Sequence, residues 1–272
     1  MRTQSAVSVF VALGIMVLGP AAGAQEQITA GVYRGVLPVV KADTSPPLRS
    51  IAPLPITKGG RNLVEPESGI GGELGPQDSD PVVQRQIMTE AVPPPATSFD
   101  GPPNLFGGAP PDPVGDVGPD HYVAMSNLYF AVYDKSGALL YGPAANNTLW
   151  SGFGGDCQSD NDGDPIVIYD QLADRWILTQ FTASGPTYYN CVAISTGPDP
   201  TGTYYRYAVS TGSNFPDYPK YGMWPDAYYI STREFNGNFV GVGAYAVNRA
   251  QMIAGNPNPQ IISFHSAASS AV

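Results

Sequence analysis

The chain has 272 residues, among them 31 Gly, 28 Pro and 16 Tyr, and only 13% are charged. A formal charge of −10 without any run of Lys or Arg repels polyphosphate and excludes a nucleic-acid partner. At 43% hydrophobic residues the chain is too apolar to stay disordered, and its Gly and Pro content favours many turns over long helices.

Met1-Arg2 is a short basic start, followed by an apolar run over 6–18 (AVSVFVALGIMVL). The run is shorter than the ~20 residues that span a bilayer. Ala22 and Ala24 place small residues three and one positions before a cleavage point, so residues 1–24 read as a signal peptide. The alternative is an uncleaved anchor. Cleavage would leave a secreted, extracellular or cell-surface protein, or a periplasmic one, with no membrane span.

Residues 25–100 read as a Pro/Gly-rich leader or linker, mostly extended. One strand-like patch, ITAGVYRGVLPVV (28–40), precedes SPPLRSIAPLP, SGIGGELGP and AVPPPATSFDGPP. Pro fixes φ and lacks an N–H, so such segments suit a propeptide, a stalk or a strap.

From Gly101 to about His265 the pattern changes to that of a many-stranded domain, followed by a tail over 266–272. Aromatic and β-branched residues alternate with polar ones in HYVAMSNLYFAVYD (121–134), PIVIYD (165–170), RWILTQF (175–181), YYNCVAIS (188–195), TYYRYAVS (203–210), DAYYIST (226–232) and FVGVGAYAV (239–247). DKSG (134–137), GPDPTG (197–202) and FNGN (235–238) are turn signals between them. A short helical turn is expected over 249–254.

Three units are each headed by Asp and Pro: Asp112-Pro113, Asp164-Pro165 and Asp217-Tyr218-Pro219. Four strands in about fifty residues is the size of a propeller blade. A β-sandwich with similar strand spacing is the alternative. The expected fold is therefore all-β and β-propeller-like, with about three four-stranded antiparallel blades. Three blades make an incomplete propeller: either the N-terminal segment adds strands, or subunits complete one another, or, the favoured expectation, the chain is part of a longer product.

Two cysteines, Cys157 and Cys191, are expected to form one disulfide in an oxidising compartment, contributing about 3–4 kcal/mol. The acidic run Asp160-Asn161-Asp162-Gly163-Asp164 is the candidate Ca²⁺ loop. Asp160, Asp162 and Asp164 would aim hard oxygens at one point through a tight turn, with Asp156 as a further donor. An Asx-rich turn is the bland alternative. Asp112, Asp164 and Asp217 would ring one channel mouth and raise one another's pKa, or else cap turns between blades. Among the aromatics, Tyr188, Tyr189, Tyr204, Tyr205, Tyr228 and Tyr229 divide between packing and sugar stacking. Trp176 and Trp224 are expected in packing between blades. His121 reads as structural.

The stretches PPDPVGDVGPDHYV (110–123), NDGDPIVIYDQLADRWILTQF (161–181), CVAISTGPDPTGTYYRY (191–207) and FPDYPKYGMWPDAYYIS (215–231) resemble a group of large secreted bacterial proteins with propeller-like domains and no agreed activity. This resemblance covers about half the chain and implies a fold and an extracellular setting. A weaker likeness joins DPIVIYDQLADRWIL and GPDPTGTYY to five-bladed arabinanase- and xylosidase-type glycoside hydrolases. It implies an Asp base, a pKa-tuning Asp and a Glu acid, for which the matching candidates are Asp112 or Asp116, Asp164 and Glu234. The first reading is thus an exported binding or scaffold module, a candidate for Ca²⁺ stabilisation, with carbohydrate or a cell-surface polymer as partner. The alternative is a glycan-active hydrolase.

Overall fold

The computed structural model describes residues 32–56, 94–105 and 110–267. The signal segment with Ala22 and Ala24, much of the 25–100 stretch and the end of the 266–272 tail lie outside the described residues.

Two short strands come first, β1 (Val32–Val36) and β2 (Val39–Thr44). The first blade is a meander of β3 (Val114–Val117), β4 (His121–Ser126), β5 (Tyr129–Asp134) and β6 (Leu139–Ala145). A connection carrying the short helix α1 (Asp156–Ser159) leads to the second blade. That blade contains β7 (Ile166–Asp170), β8 (Arg175–Phe181), β9 (Tyr188–Ser195) and β10 (Tyr204–Gly212). The third contains β11 (Phe215–Met223), β12 (Ala227–Asn236) and β13 (Asn238–Asn248), then helix α2 (Arg249–Ile253) and β14 (Ile261–Ala267). The fold is all-β with blade-like sheets that do not close into a propeller.

The expected turns form for local chemical reasons. Asp134 Oδ1 accepts from the backbone N–H groups of Ser136 and Ala138, and Gly137 supplies the positive φ of 90°. Asp199 Oδ1 likewise accepts from the Thr201 N–H and hydroxyl.

The start of the presumed leader is built into the sheets. Strand β1 pairs with β14 and β2 pairs with β10, so each becomes the fifth, outermost strand of a blade. The chain then runs on to the first blade: Leu48 is buried in the core, and Leu54 exchanges backbone and side-chain hydrogen bonds with Ala145 and Thr148. Residues 32–56 thus form a strap across all three blades, covering two strand edges that would otherwise template association. Arg206 fixes it at the second blade. Its guanidinium, 2% exposed, donates to both carboxylate oxygens of Asp43 at 2.8 and 2.6 Å and to the carbonyls of Leu149 and Ser151.

Two cores lie between the blades. Trp176, Leu178, Cys191, Ala193 and Tyr204 of the second blade meet Val123, Met125, Phe130 and Val132 of the first. Its opposite face, with Ile177, Val192, Ile194 and Tyr207, meets Tyr228, Ile230, Tyr245 and Val247 of the third. Successive residues of a strand point to opposite faces. Strand β8 is buried at almost every position because both of its faces are covered, whereas β12 alternates buried and exposed. The Cys157–Cys191 disulfide ties α1 to β9.

Candidate functional site

The heads of the three innermost strands come together. Asp112, Asp164 and Tyr218 each precede a proline with φ of 39°, 45° and 47°. Such conformations are sparsely populated outside glycine and mark constrained sites. In the third unit the equivalent position is therefore Tyr218, and Asp217 lies one residue before it.

Asn127 links the first two heads. Its amide donates to Asp112 Oδ2 at 2.7 Å, and its carbonyl accepts from the Asp164 N–H at 2.7 Å. The Tyr218 N–H then donates to Asp164 Oδ2 at 3.1 Å. Gly163, with φ of 112°, passes so close to Asn127 that an added Cβ would lie 2.8 Å from its Oδ1. Lys220 Nζ sits 3.4 Å from the centre of the Tyr218 ring, and Arg233 lies 3.7 Å from Asp217. Burial, together with repulsion from Asp217 and Asp112, pushes the Asp164 carboxyl up to about 6. The Tyr218 N–H and Lys220 act in the opposite direction.

The acidic loop does not converge as a Ca²⁺ cage. Asp160 Oδ2 accepts from the N–H groups of Ala183 and Ser184, and its Oδ1 accepts from the Ser184 hydroxyl. Asp164 instead faces the strand heads. The tight turn expected over these residues is an irregular passage in which Gly163 and Asp164 both adopt positive φ. Asp160, Asp162 and Asp164 are therefore not presented as one ligand set. Among the described residues no group of three His, Cys, Asp or Glu is arranged to hold a metal ion. Asp156 opens α1, with its carbonyl accepting from the Asp160 N–H.

The other nominated acids hold the structure together. Asp116 Oδ2 accepts from the Tyr169 N–H at 2.7 Å, joining β3 to β7. Glu234 is fully buried and accepts from Asn214 Nδ2 and the Tyr245 hydroxyl, both at 2.6 Å, while His265 Nδ1 lies 3.0 Å away. A Cβ at Gly243 would crowd the side-chain oxygens of Glu234, Tyr245 and Thr232, which would have to shift to admit it. A glycosidase needs two carboxyls flanking a bond in an open cleft. Glu234 is buried, with its carboxylate bonded to Asn214 and Tyr245.

A third joint centres on Asp170 and Arg249, which sequence reasoning did not nominate. Asp170, fully buried, accepts from Arg249 Nε at 2.6 Å, Arg249 Nη2 at 2.9 Å and the Tyr228 hydroxyl at 2.7 Å. Burial acts to raise the Asp170 carboxyl, but the bonds from Arg249 and Tyr228 outweigh it and hold the group below its ordinary value. The residue ends a strand and starts a turn, which is the ordinary reading of Asp there. Only the fold brings Arg249 to it from 79 positions away.

The aromatics separate by burial. Tyr204 and Tyr228 are buried with their hydroxyls bonded, and Tyr188, Tyr189 and Tyr205 pack at core margins. Trp176 is buried and donates to the Pro198 carbonyl. Trp224 departs from expectation: it is 67% exposed, because it sits in the turn after β11 rather than between blades. Tyr229 is also exposed, on the outer face of the third blade.

Comparisons with protein families, curated proteins and solved structures find no match for this chain.

Proposed function

We propose that this chain is an exported, propeller-like module with a binding or scaffold role, akin to the secreted propeller-like proteins its motifs resemble. One observation carries the reading. The acids nominated for chemistry serve as joints between or within blades, while aromatic rings stand exposed on the third blade. The buried Cys157–Cys191 disulfide fits an oxidising compartment, as does the signal-like 1–24 segment. No helix among the described residues is long and apolar enough to cross a membrane. The partner class is carbohydrate or a cell-surface polymer, with the exposed Trp224 ring as its stacking platform.

Affinity electrophoresis of the purified chain through gels containing cell-surface polysaccharides tests this, with reducing ends measured in parallel. Retardation by a polymer is expected, lost in Trp224→Ala, with no release of reducing ends. Release of sugar that disappears in Glu234→Gln, with that variant still folded, would overturn it in favour of a hydrolase.

A further inference from the structure

We infer that Asn236, at the tip of the β12–β13 hairpin, is a site of spontaneous covalent modification, where the side-chain amide is converted to aspartate and isoaspartate. The reaction needs only water. The backbone nitrogen of Gly237 gives up its proton to solvent and forms a bond to Asn236 Cγ. The Cγ–Nδ2 bond breaks, and ammonia leaves. Water then opens the resulting five-membered succinimide. Attack at the side-chain carbonyl gives aspartate, and attack at the backbone carbonyl gives isoaspartate.

Sequence and fold together single out this position. Of the asparagines in the chain, Asn236 alone precedes a glycine. A following side chain crowds the approach of the backbone nitrogen to Cγ, and Gly237 has none. Asn256 and Asn258 precede prolines, which have no N–H to give up. Other asparagines are held by the fold. The amide of Asn127 donates to Asp112, that of Asn146 to the Ser126 carbonyl, that of Asn147 to the Gln158 carbonyl and that of Asn214 to Glu234. Asn236 is exposed instead, and among the described residues its amide has no hydrogen-bond partner.

The hairpin geometry adds to this. Asn236 faces Asn238 in the last pair of the ladder, and Gly237 turns the chain between them with φ of 74°. Ring closure requires the tip to open locally, and a hairpin end with few buried contacts opens at low cost. The next pair is Phe235 and Phe239, with ring centroids 5.5 Å apart, and Phe239 is itself exposed. The product changes the turn. Each event adds a negative charge two positions from the buried Glu234, and isoaspartate adds a main-chain carbon where Asn236 and Asn238 now pair.

Peptide mapping of the folded chain after incubation in mildly alkaline, heavy-oxygen water tests the inference. Cleavage after Arg233 and Arg249 releases a peptide over 234–249, which contains Asn236, Asn238 and Asn248. The expected result is loss of ammonia and gain of one heavy oxygen at Asn236, in separable aspartyl and isoaspartyl forms. Conversion there should be at least about tenfold faster than at Asn238 or Asn248 in the same peptide. Asn236→Gln, whose longer side chain would have to close a six-membered ring, should leave the peptide unchanged over the same period. Conversion no faster at Asn236 than at its two neighbours would overturn the assignment. So would conversion seen only after the chain is unfolded in urea, because the folded hairpin would then protect the site.

Discussion

The first and third blades pack on opposite faces of the second, yet their outer faces are treated differently. On the first, Tyr122, Ala124, Ala131 and Tyr133 are covered by Phe99 from the Pro-rich segment, and the Tyr129 hydroxyl bonds the Pro103 carbonyl to hold that segment down. On the third, a comparable mixture of small and aromatic residues faces outward. The burial patterns record the contrast: β5 is buried at five successive positions, whereas β13 alternates. The same kind of sheet is thus lined by the Pro-rich segment on the first blade and carries exposed rings on the third.

The strongest way to break that arrangement is at the joint holding the third blade to the second. Asp170→Ala would leave Arg249 and the Tyr228 hydroxyl without their shared acceptor in a buried site. A loss of about 3–5 kcal/mol is expected, read from chemical denaturation. A loss below 1 kcal/mol would mean that the apolar contacts of Tyr228 and Ile230 hold the third blade alone. Next in size is the disulfide. Cys157→Ser with Cys191→Ser should cost about 2–4 kcal/mol, mainly by freeing the unfolded chain. Unchanged denaturation midpoints with and without reductant would contradict it.

Phe99→Ala sharpens the comparison directly. It should cost only about 1–2 kcal/mol, because the ring is half-buried, but it would open the outer face of the first blade. With that face uncovered, the variant should bind an environment-sensitive hydrophobic dye more strongly than the wild-type chain. Unchanged dye fluorescence would show that Phe99 is not what covers the first blade.

Much of the fold was legible in the sequence, because period-two alternation and Asp/Gly turns are local signals. Strands β7 to β10 fall close to the segments read from 165 to 210. A strap was one of the readings open for the Pro-rich segment, but the pairing of its strands with the blades was not legible. Val39–Thr44 sits among prolines, and its role as an edge strand depends on Arg206 reaching Asp43 across 163 positions. The acidic loop was over-read for a related reason. Asp spacing suggests convergence, but the backbone at Gly163 and Asp164 and the pull of Ala183 and Ser184 on Asp160 separate the carboxylates. The joints at Asp116, Asp170 and Glu234 depend on partners from other strands, which no spacing along one segment reveals.

An effect of the same size as that of Phe99→Ala, but opposite in sign, concerns the strand heads, where the three blades meet. Asp164 titrates near 6 in the folded chain against 3.8 for an ordinary Asp, so between these values the native state holds a proton that the unfolded chain has released. Its contribution to stability is complete below pH 3.8 and is lost as pH rises through 6. Asp170 and Asp199, held low, act in the opposite sense, and their contributions disappear only as pH falls below the ordinary Asp value. Asp164→Asn keeps an oxygen to accept from the Tyr218 N–H, tolerates the positive φ and carries no charge to repel Asp112 and Asp217. It should therefore raise stability by about 1–2 kcal/mol at pH 7.5 and flatten the profile between pH 4 and 6.5. Thermal melts across that range would test it. If the variant retains the wild-type slope, the pH response arises elsewhere, and the strand heads act only as a structural hinge point between unequal ends.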